Sequence, residues 1–167
     1  LLGHANGNLK GNLLLYGEFG TGKTTVANLL ANAIGGDHFT IEQKHFDQIL
    51  AMKDIYGYLE VAAQIHIPNR PNYLLVFNEF DRANQKNMNR FTDALDKAGS
   101  SVTLIITTNH LSAIDQALQN RCKPIYLPPL TAQTVLPHAK KILLSEELNL
   151  PEITLMNELK VAENQGG

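Results

Sequence analysis

The runs NLLLY (residues 12–16), YLLVF (73–77) and SVTLIITT (101–108) are nearly continuous in apolar and β-branched residues. A strand with one wet face alternates polar with apolar residues; a strand without that alternation must be covered on both faces. HFTIE (38–42) and PIYL (124–127) complete five predicted strands. Between them lie segments of helical period. The segment after GEFGTGKTT reads as a helix with Val26, Leu29, Leu30, Ala33 and Ile34 on one face, and Gly35-Gly36 ends that helix. Lys44 to His66 reads as helical with a break near Gly57, PNRPN (68–72) as a loop, and Asn84 to Ala98 as a helix turning Met88, Phe91 and Leu95 inward. Leu111 to Leu118 reads as one short helix. Apolar strands alternating with helices predict an α/β fold, a parallel sheet covered by helices on both faces.

Pro128-Pro129 marks a change of pattern. Only helical segments follow it, Thr131 to Asn149 and about Pro151 to Glu163. The expected division is a nucleotide-binding core at 1–129 and the start of a small all-helical domain at 130–167. A chain of 167 residues with 44% hydrophobic content can bury one sizeable core. It begins at Leu1 and ends in AENQGG, so it is read as a piece of something longer. A net charge of -2 gives no overall basic footprint, which leaves only a local patch for nucleic acid. One cysteine excludes an internal disulfide and suits a reducing, intracellular compartment. No apolar run is long enough to span a bilayer, and no signal-peptide pattern opens the chain.

Directly after the first predicted strand comes Gly17-Glu18-Phe19-Gly20-Thr21-Gly22-Lys23-Thr24-Thr25, which satisfies G-x-x-x-x-G-K-[ST] and runs straight into a helix. The glycines allow several N–H groups to turn toward one point, and the helix N-terminus adds positive potential there. Lys23 is placed to reach the outer phosphates of a nucleotide and the Thr24 hydroxyl to ligate Mg²⁺. A glycine-rich turn that only caps a helix is the plain alternative. The order of strand, loop, Lys-Thr and amphipathic helix argues against it.

The ends of later strands carry the other candidates. Hydrolysis needs a group for the attacking water, one that senses the γ-phosphate, and positive charge in the transition state. Glu79, just past YLLVF, is the candidate water-polarising carboxylate; Asn109, ending LIITTN, can hold that water or a γ-phosphate oxygen. Arg121, in QNRCKP, can reach a neighbouring subunit's nucleotide. Each has a plainer reading: a capping or ion-paired Glu79, a turn-forming Asn109, a surface Arg121. Asp54-Ile-Tyr-Gly57 and Asn78-Glu-Phe-Asp81 mimic motifs of guanine-nucleotide switches, but Asp54 falls in a helical pattern and Asp81 stands where those proteins use a lysine. Asp81-Arg82 is read as a cap for the following helix. In an extended segment Asp81 would share a face with Glu79 and could not replace an acid at position 78. The six histidines lack metal-like spacing, and Cys122 is read as packed.

Taken in order, the loop Gly17 to Thr25, LLVFNEFDR, LIITTN and AIDQALQNRCKPIYLPPL resemble an AAA+ ATPase. The nearest branch is the clamp loaders, the replication factor C small subunits and their viral and phage counterparts. The resemblance covers about residues 9 to 167. It implies a P-loop AAA+ core followed by a helical lid, ATP and Mg²⁺ as cofactors, and a homo- or hetero-oligomeric ring in which Arg121 acts in trans. It also implies clamp-loader-like work in DNA replication on DNA and a sliding clamp, with no membrane, in the cytoplasm or nucleus. TTNHLSAIDQALQNR is similar to protein-remodelling AAA ATPases as well. Asn78 stands where the family carries the Mg²⁺-ordering Asp, and Asn120 where the Arg-Cys box begins with Ser. The neutral amide at 78, assigned with Thr24 to the metal side, implies reduced turnover or a nucleotide switch that hydrolyses weakly.

Overall fold

The computed structural model describes residues 11–34, 38–41, 73–83, 85–99 and 102–165. The predicted 44–66 helix, the Gly35-Gly36 stop and the 68–72 loop lie outside these. Five strands are present: β1 (Asn12–Tyr16), β2 (His38–Ile41), β3 (Tyr73–Phe77), β4 (Val102–Thr108) and β5 (Cys122–Tyr126). They form one sheet in the order β2-β3-β4-β1-β5, and every pairing is parallel. Leu13 to Tyr16 of β1 align with Ile105 to Thr108 of β4 on one side and with Lys123 to Tyr126 of β5 on the other.

Helix α1 (Lys23–Ile34) covers one face and α2 (Gln85–Ala98) the other. On the α1 face Leu13, Leu15, Leu74, Val76 and Ile105 pack with Ala27 and Ala31. On the α2 face Leu14, Leu75, Phe77, Leu104 and Ile106 meet Met88, Phe91 and Leu95. The successive strand residues divide between two cores because their side chains point to opposite faces. That is why these strands needed no polar alternation. Phe77, Phe80 and Phe91 form an aromatic knot with centroid separations of 5.0 to 5.9 Å.

The buried stripe of α1 differs from the one expected. Ala27 and Ala31 are fully buried, whereas Leu29 is 62% exposed and Ala33 is exposed. Small residues let the helix approach the sheet closely, so its contact line runs through the alanines with Val26 and Leu30 beside them. The expected 111–118 helix is also two pieces, a single 3-10 turn (Leu111–Ala113) and the short α3 (Gln116–Gln119), which Asp115 caps through the Ala117 N–H at 2.8 Å.

The chain divides into two units, Leu1–Leu127 and Pro128–Gly167. In the second, α4 (Ala132–Ser145) starts at a reciprocal capping box between Thr131 and Thr134. It is tied to α5 (Glu152–Gln165) by Lys140–Glu152 at 2.6 Å and by the Ala132 N–H donating to Glu163 Oε2 at 2.9 Å. No helix among the described residues is long and apolar enough to cross a membrane.

Phe91→Ala removes the centre of the aromatic knot and is expected to cost about 3–5 kcal/mol of unfolding free energy. Leu29→Ala, on the exposed side of α1, is expected to stay within about 0.5 kcal/mol. Urea denaturation of both variants checks the face assignment.

Candidate functional site

Strand β1 delivers the chain into the loop Gly17–Gly22 at the carboxyl edge of the sheet. Gly17 has φ of 153°, and a Cβ there would lie 2.2 Å from the Leu127 carbonyl oxygen. Only glycine lets the chain pass beside the end of β5, where the Leu127 N–H bonds to Tyr16 O at 2.8 Å. Gly22 has φ of 81° and carries the carbonyl that accepts the first helical bond, from the Val26 N–H at 2.9 Å.

Lys23, the first residue of α1, is 7% exposed. Its ammonium donates to Gly17 O at 2.9 Å, Glu18 O at 2.5 Å and Thr21 Oγ1 at 3.4 Å. Its three donors are thus spent on its own loop. Burial pulls the Lys23 pKa below the usual lysine value, and the Asp81 and Glu79 charges oppose that pull. The loop therefore encloses a cation with nearby negative charge and little water.

A cleft of about 260 Å³ opens beside it, lined by Phe19, Gly20, Lys23, Thr24 and Thr25 from the loop side. Glu79, Thr107, Thr108 and Asn109 line it from the ends of β3 and β4. Glu79 has φ of 54° and ψ of 43°, a left-handed conformation that a non-glycine residue adopts at a cost. Its N–H donates to Thr107 Oγ1 at 3.1 Å, and its carboxylate meets Arg82 at 3.2 Å. The twist ends β3 and starts the 3-10 turn Phe80–Arg82.

Lys23, Thr24, Thr25, Glu79 and Asn109 thus line one cleft. Gly17, Glu18 and Thr21 stand behind them and hold Lys23 through two carbonyls and a hydroxyl. Asn78 is 7% exposed and absent from the lining; its Oδ1 accepts from Thr107 Oγ1 at 3.3 Å. Arg121 lies outside this cleft. Its Nε and Nη2 bind both oxygens of Asp96 at 2.6 and 2.5 Å, and its Nη1 donates to Ala117 O at 2.7 Å. The Arg121 bond holds the Asp96 carboxyl below the ordinary carboxylate range. Asp81 does not cap through Oδ1, which is buried and has no hydrogen-bond partner. Among the described residues no cluster of three His, Cys, Asp or Glu could hold a metal by itself.

Sequence reasoning missed Thr107. Its hydroxyl links Asn78 to the Glu79 backbone, so it sets where the β3 end turns. The available signal was Thr107-Thr108, two hydroxyls closing an apolar strand and exposed by 2% and 0%. Cys122 is packed as read: burial pushes its thiol from 9.0 up to about 12, with Arg121 only partly opposing.

Residues 13–130 match the profile of the family described as ATPase family associated with various cellular activities (AAA). The chain belongs to the AAA ATPase family. Among curated proteins it is 26% identical to the replication factor C large subunit of Thermococcus kodakarensis, over 95% of this chain and 31% of that protein. It is 27% identical to human replication factor C subunit 5, over 84% of this chain and 42% of that one. The small subunit of Staphylothermus marinus is 24% identical over 86% and 44%. The chain thus spans less than half the length of each of these relatives. Among solved structures, the Thermotoga maritima RuvB Holliday junction branch migration motor superposes with a TM-score of 0.67 at 16% identity, over 93% of this chain and 50% of that one. The E. coli HORMA:CdnC:Trip13 complex contains a chain that does so at 0.68 and 18%, over 90% and 58%. At these identities the two structures show a shared fold.

Two outcomes follow from the site's geometry. Glu79→Gly removes an L-residue from the left-handed region, together with an exposed ion pair to Arg82 and a charge that acts on Lys23. It is expected to leave stability level or raise it by about 1 kcal/mol, measured by thermal unfolding, while abolishing any ATP turnover that the cleft supports. A loss of stability would mean that the Glu79 side chain is structural. Between pH 9 and 12 the unfolded Cys122 thiol has lost its proton while the folded one keeps it. Stability should therefore fall across that window more steeply than in Cys122→Ala, measured by urea titrations at stepped pH.

Proposed function

We propose that the chain binds ATP in this cleft, hydrolyses it with Mg²⁺, and works as one subunit of a ring. The observation that carries this is the meeting of Lys23 and Thr24 at the start of α1 with Glu79 and Asn109 across one cleft. In this reading Lys23 exchanges the Gly17 and Glu18 carbonyls for phosphate oxygens. The Glu79 carboxylate accepts a hydrogen bond from the attacking water and so polarises it, and the Asn109 amide holds that water or a γ-phosphate oxygen in line. Loop N–H groups and the α1 terminus cradle the remaining phosphate charge. The donor set suits a hard, oxygen-seeking cation: the Thr24 hydroxyl lines the cleft and acidic oxygens stand near Lys23. When bound, Mg²⁺ would neutralise developing phosphate charge.

Arg121 is proposed to act on the nucleotide of a neighbouring subunit, and the Asp96 fork presets its guanidinium plane. The second unit is read as the beginning of a helical lid. The replication factor C relatives favour clamp-loader-like work on DNA and a sliding clamp, in an intracellular setting. A protein-remodelling ATPase is the rival, and a response of turnover to primed DNA or to unfolded polypeptide separates the two. A weakly hydrolysing switch is the second reading, favoured by the neutral Asn78 at the end of β3.

Lys23→Ala is expected to weaken ATP binding at least about tenfold by calorimetry, a loss of about 1.4 kcal/mol. Undiminished binding would remove the site assignment. In the full-length assembly, mixing Glu79→Gln chains with Arg121→Ala chains should give turnover that departs from the sum of the two, because each active site draws on both subunits. Strictly additive turnover would rule out the trans arginine.

A further inference from the structure

Two threonine hydroxyls close β4, and they are used differently. Thr108 spends its hydroxyl on its own chain, donating to His110 O and accepting from the His110 N–H, each at 3.1 Å. Thr107 reaches across to the end of β3. Its Oγ1 accepts from the Glu79 N–H at 3.1 Å and donates to Asn78 Oδ1 at 3.3 Å. Val76 and Ile105 belong to the core under α1. Alternation turns Asn78 and Thr107, two positions on, to that same face, where the phosphate loop runs into the helix. Thr107 is 2% exposed and still contributes to the cleft lining.

A threonine hydroxyl has one proton to donate. Asn78 receives it, so Thr107 keeps no donor for a phosphate oxygen. What it holds is backbone, at the residue whose φ of 54° an L-amino acid adopts at a cost. Backbone dihedrals govern how a side chain leaves the chain. The bond to the Glu79 N–H therefore bears on where the Glu79 carboxylate, which lines the same cleft, is aimed. We propose that Thr107 is a positioning residue for ATP turnover, its hydroxyl holding the Glu79 backbone so that the carboxylate faces the attacking water. The proposal rests on the nucleotide reading above, in which Glu79 polarises that water. The competing account is that Thr107 only satisfies two buried polar groups. Its loss would then lower stability and leave the turnover of the folded protein alone.

The test compares kcat, KM and calorimetric ATP affinity of the full-length protein with Mg²⁺ in two variants. Thr107→Val keeps the shape without the hydroxyl, and Thr107→Ser keeps the hydroxyl. Thermal melts confirm that each is folded at the assay temperature, and Thr107→Ala replaces the valine variant if that one is not. Thr107→Val is expected to lower kcat about tenfold or more, because a small misplacement of a reacting group is costly. KM and ATP affinity should stay within about threefold, the pattern of a contact that matters only during turnover. Thr107→Ser should recover most of kcat. In a Glu79→Gln background, read by single-turnover rates, the loss from Thr107→Val should shrink to less than about twofold, since no carboxylate remains to be aimed. A smaller fall in kcat, a matching fall in ATP affinity, no recovery with serine, or an undiminished loss in the Glu79→Gln background would overturn the proposal. A parent that binds ATP without turning it over overturns it too, while leaving the nucleotide site standing. A parent that binds no ATP overturns the nucleotide reading and this inference together.

Discussion

The parallel pairing of β1 between β4 and β5 decides where every polar group of the cleft lands. Leu13 to Tyr16 run beside Ile105 to Thr108, so the loop leaving β1 emerges next to Asn109. Phe77 pairs with Ile106, so Asn78 and Glu79 emerge beside Thr107 and Thr108. The register is secured by two cores of opposite sign, because a slip of one residue would exchange the Leu13 and Leu14 faces. Three chain segments distant in sequence therefore end at one edge of the sheet, which is where open parallel sheets bind ligands.

At that edge the electrostatics are tightly drawn. A buried ammonium has its donors occupied by loop oxygens, with two carboxylates close enough to act on it. An incoming phosphate would offer Lys23 charged oxygens in place of neutral carbonyls, and charge-assisted bonds are the stronger kind. The same edge shows where backbone strain is held. Glu79 adopts its left-handed geometry against the intrinsic preference of an L-residue, and the Thr107 hydroxyl on its N–H helps to keep it there.

Much of this was legible in the residues. The apolar strands demanded cover on both faces, and the Gly-Lys-Thr loop demanded a helix behind it. Glu79 and Asn109 followed from their places at strand ends. Other features depended on geometry that spacing does not carry. The α1 stripe was misplaced because leucines outrank alanines in hydrophobicity, while close helix–sheet approach favours Ala27 and Ala31. Asp81 was placed on the Glu79 face because an extended chain was assumed where the backbone turns left-handed. Asp96 could not be paired with Arg121 from sequence, since the two are brought together by the α2 and α3 ends across 25 positions. Asn78 reads the same in both views as a neutral residue, but only the structure shows its oxygen bound to Thr107.

In the proposed function the Gly17–Thr24 loop is a phosphate site that Lys23 occupies until a nucleotide arrives. Amide chemical shifts of the isotope-labelled protein, followed by NMR during titration with ATP, test it most directly. Saturable shifts concentrated at residues 17–25, with smaller ones at Glu79 and Asn109, are the predicted result. Shifts confined to other regions, or a loop unmoved by ATP, would contradict it.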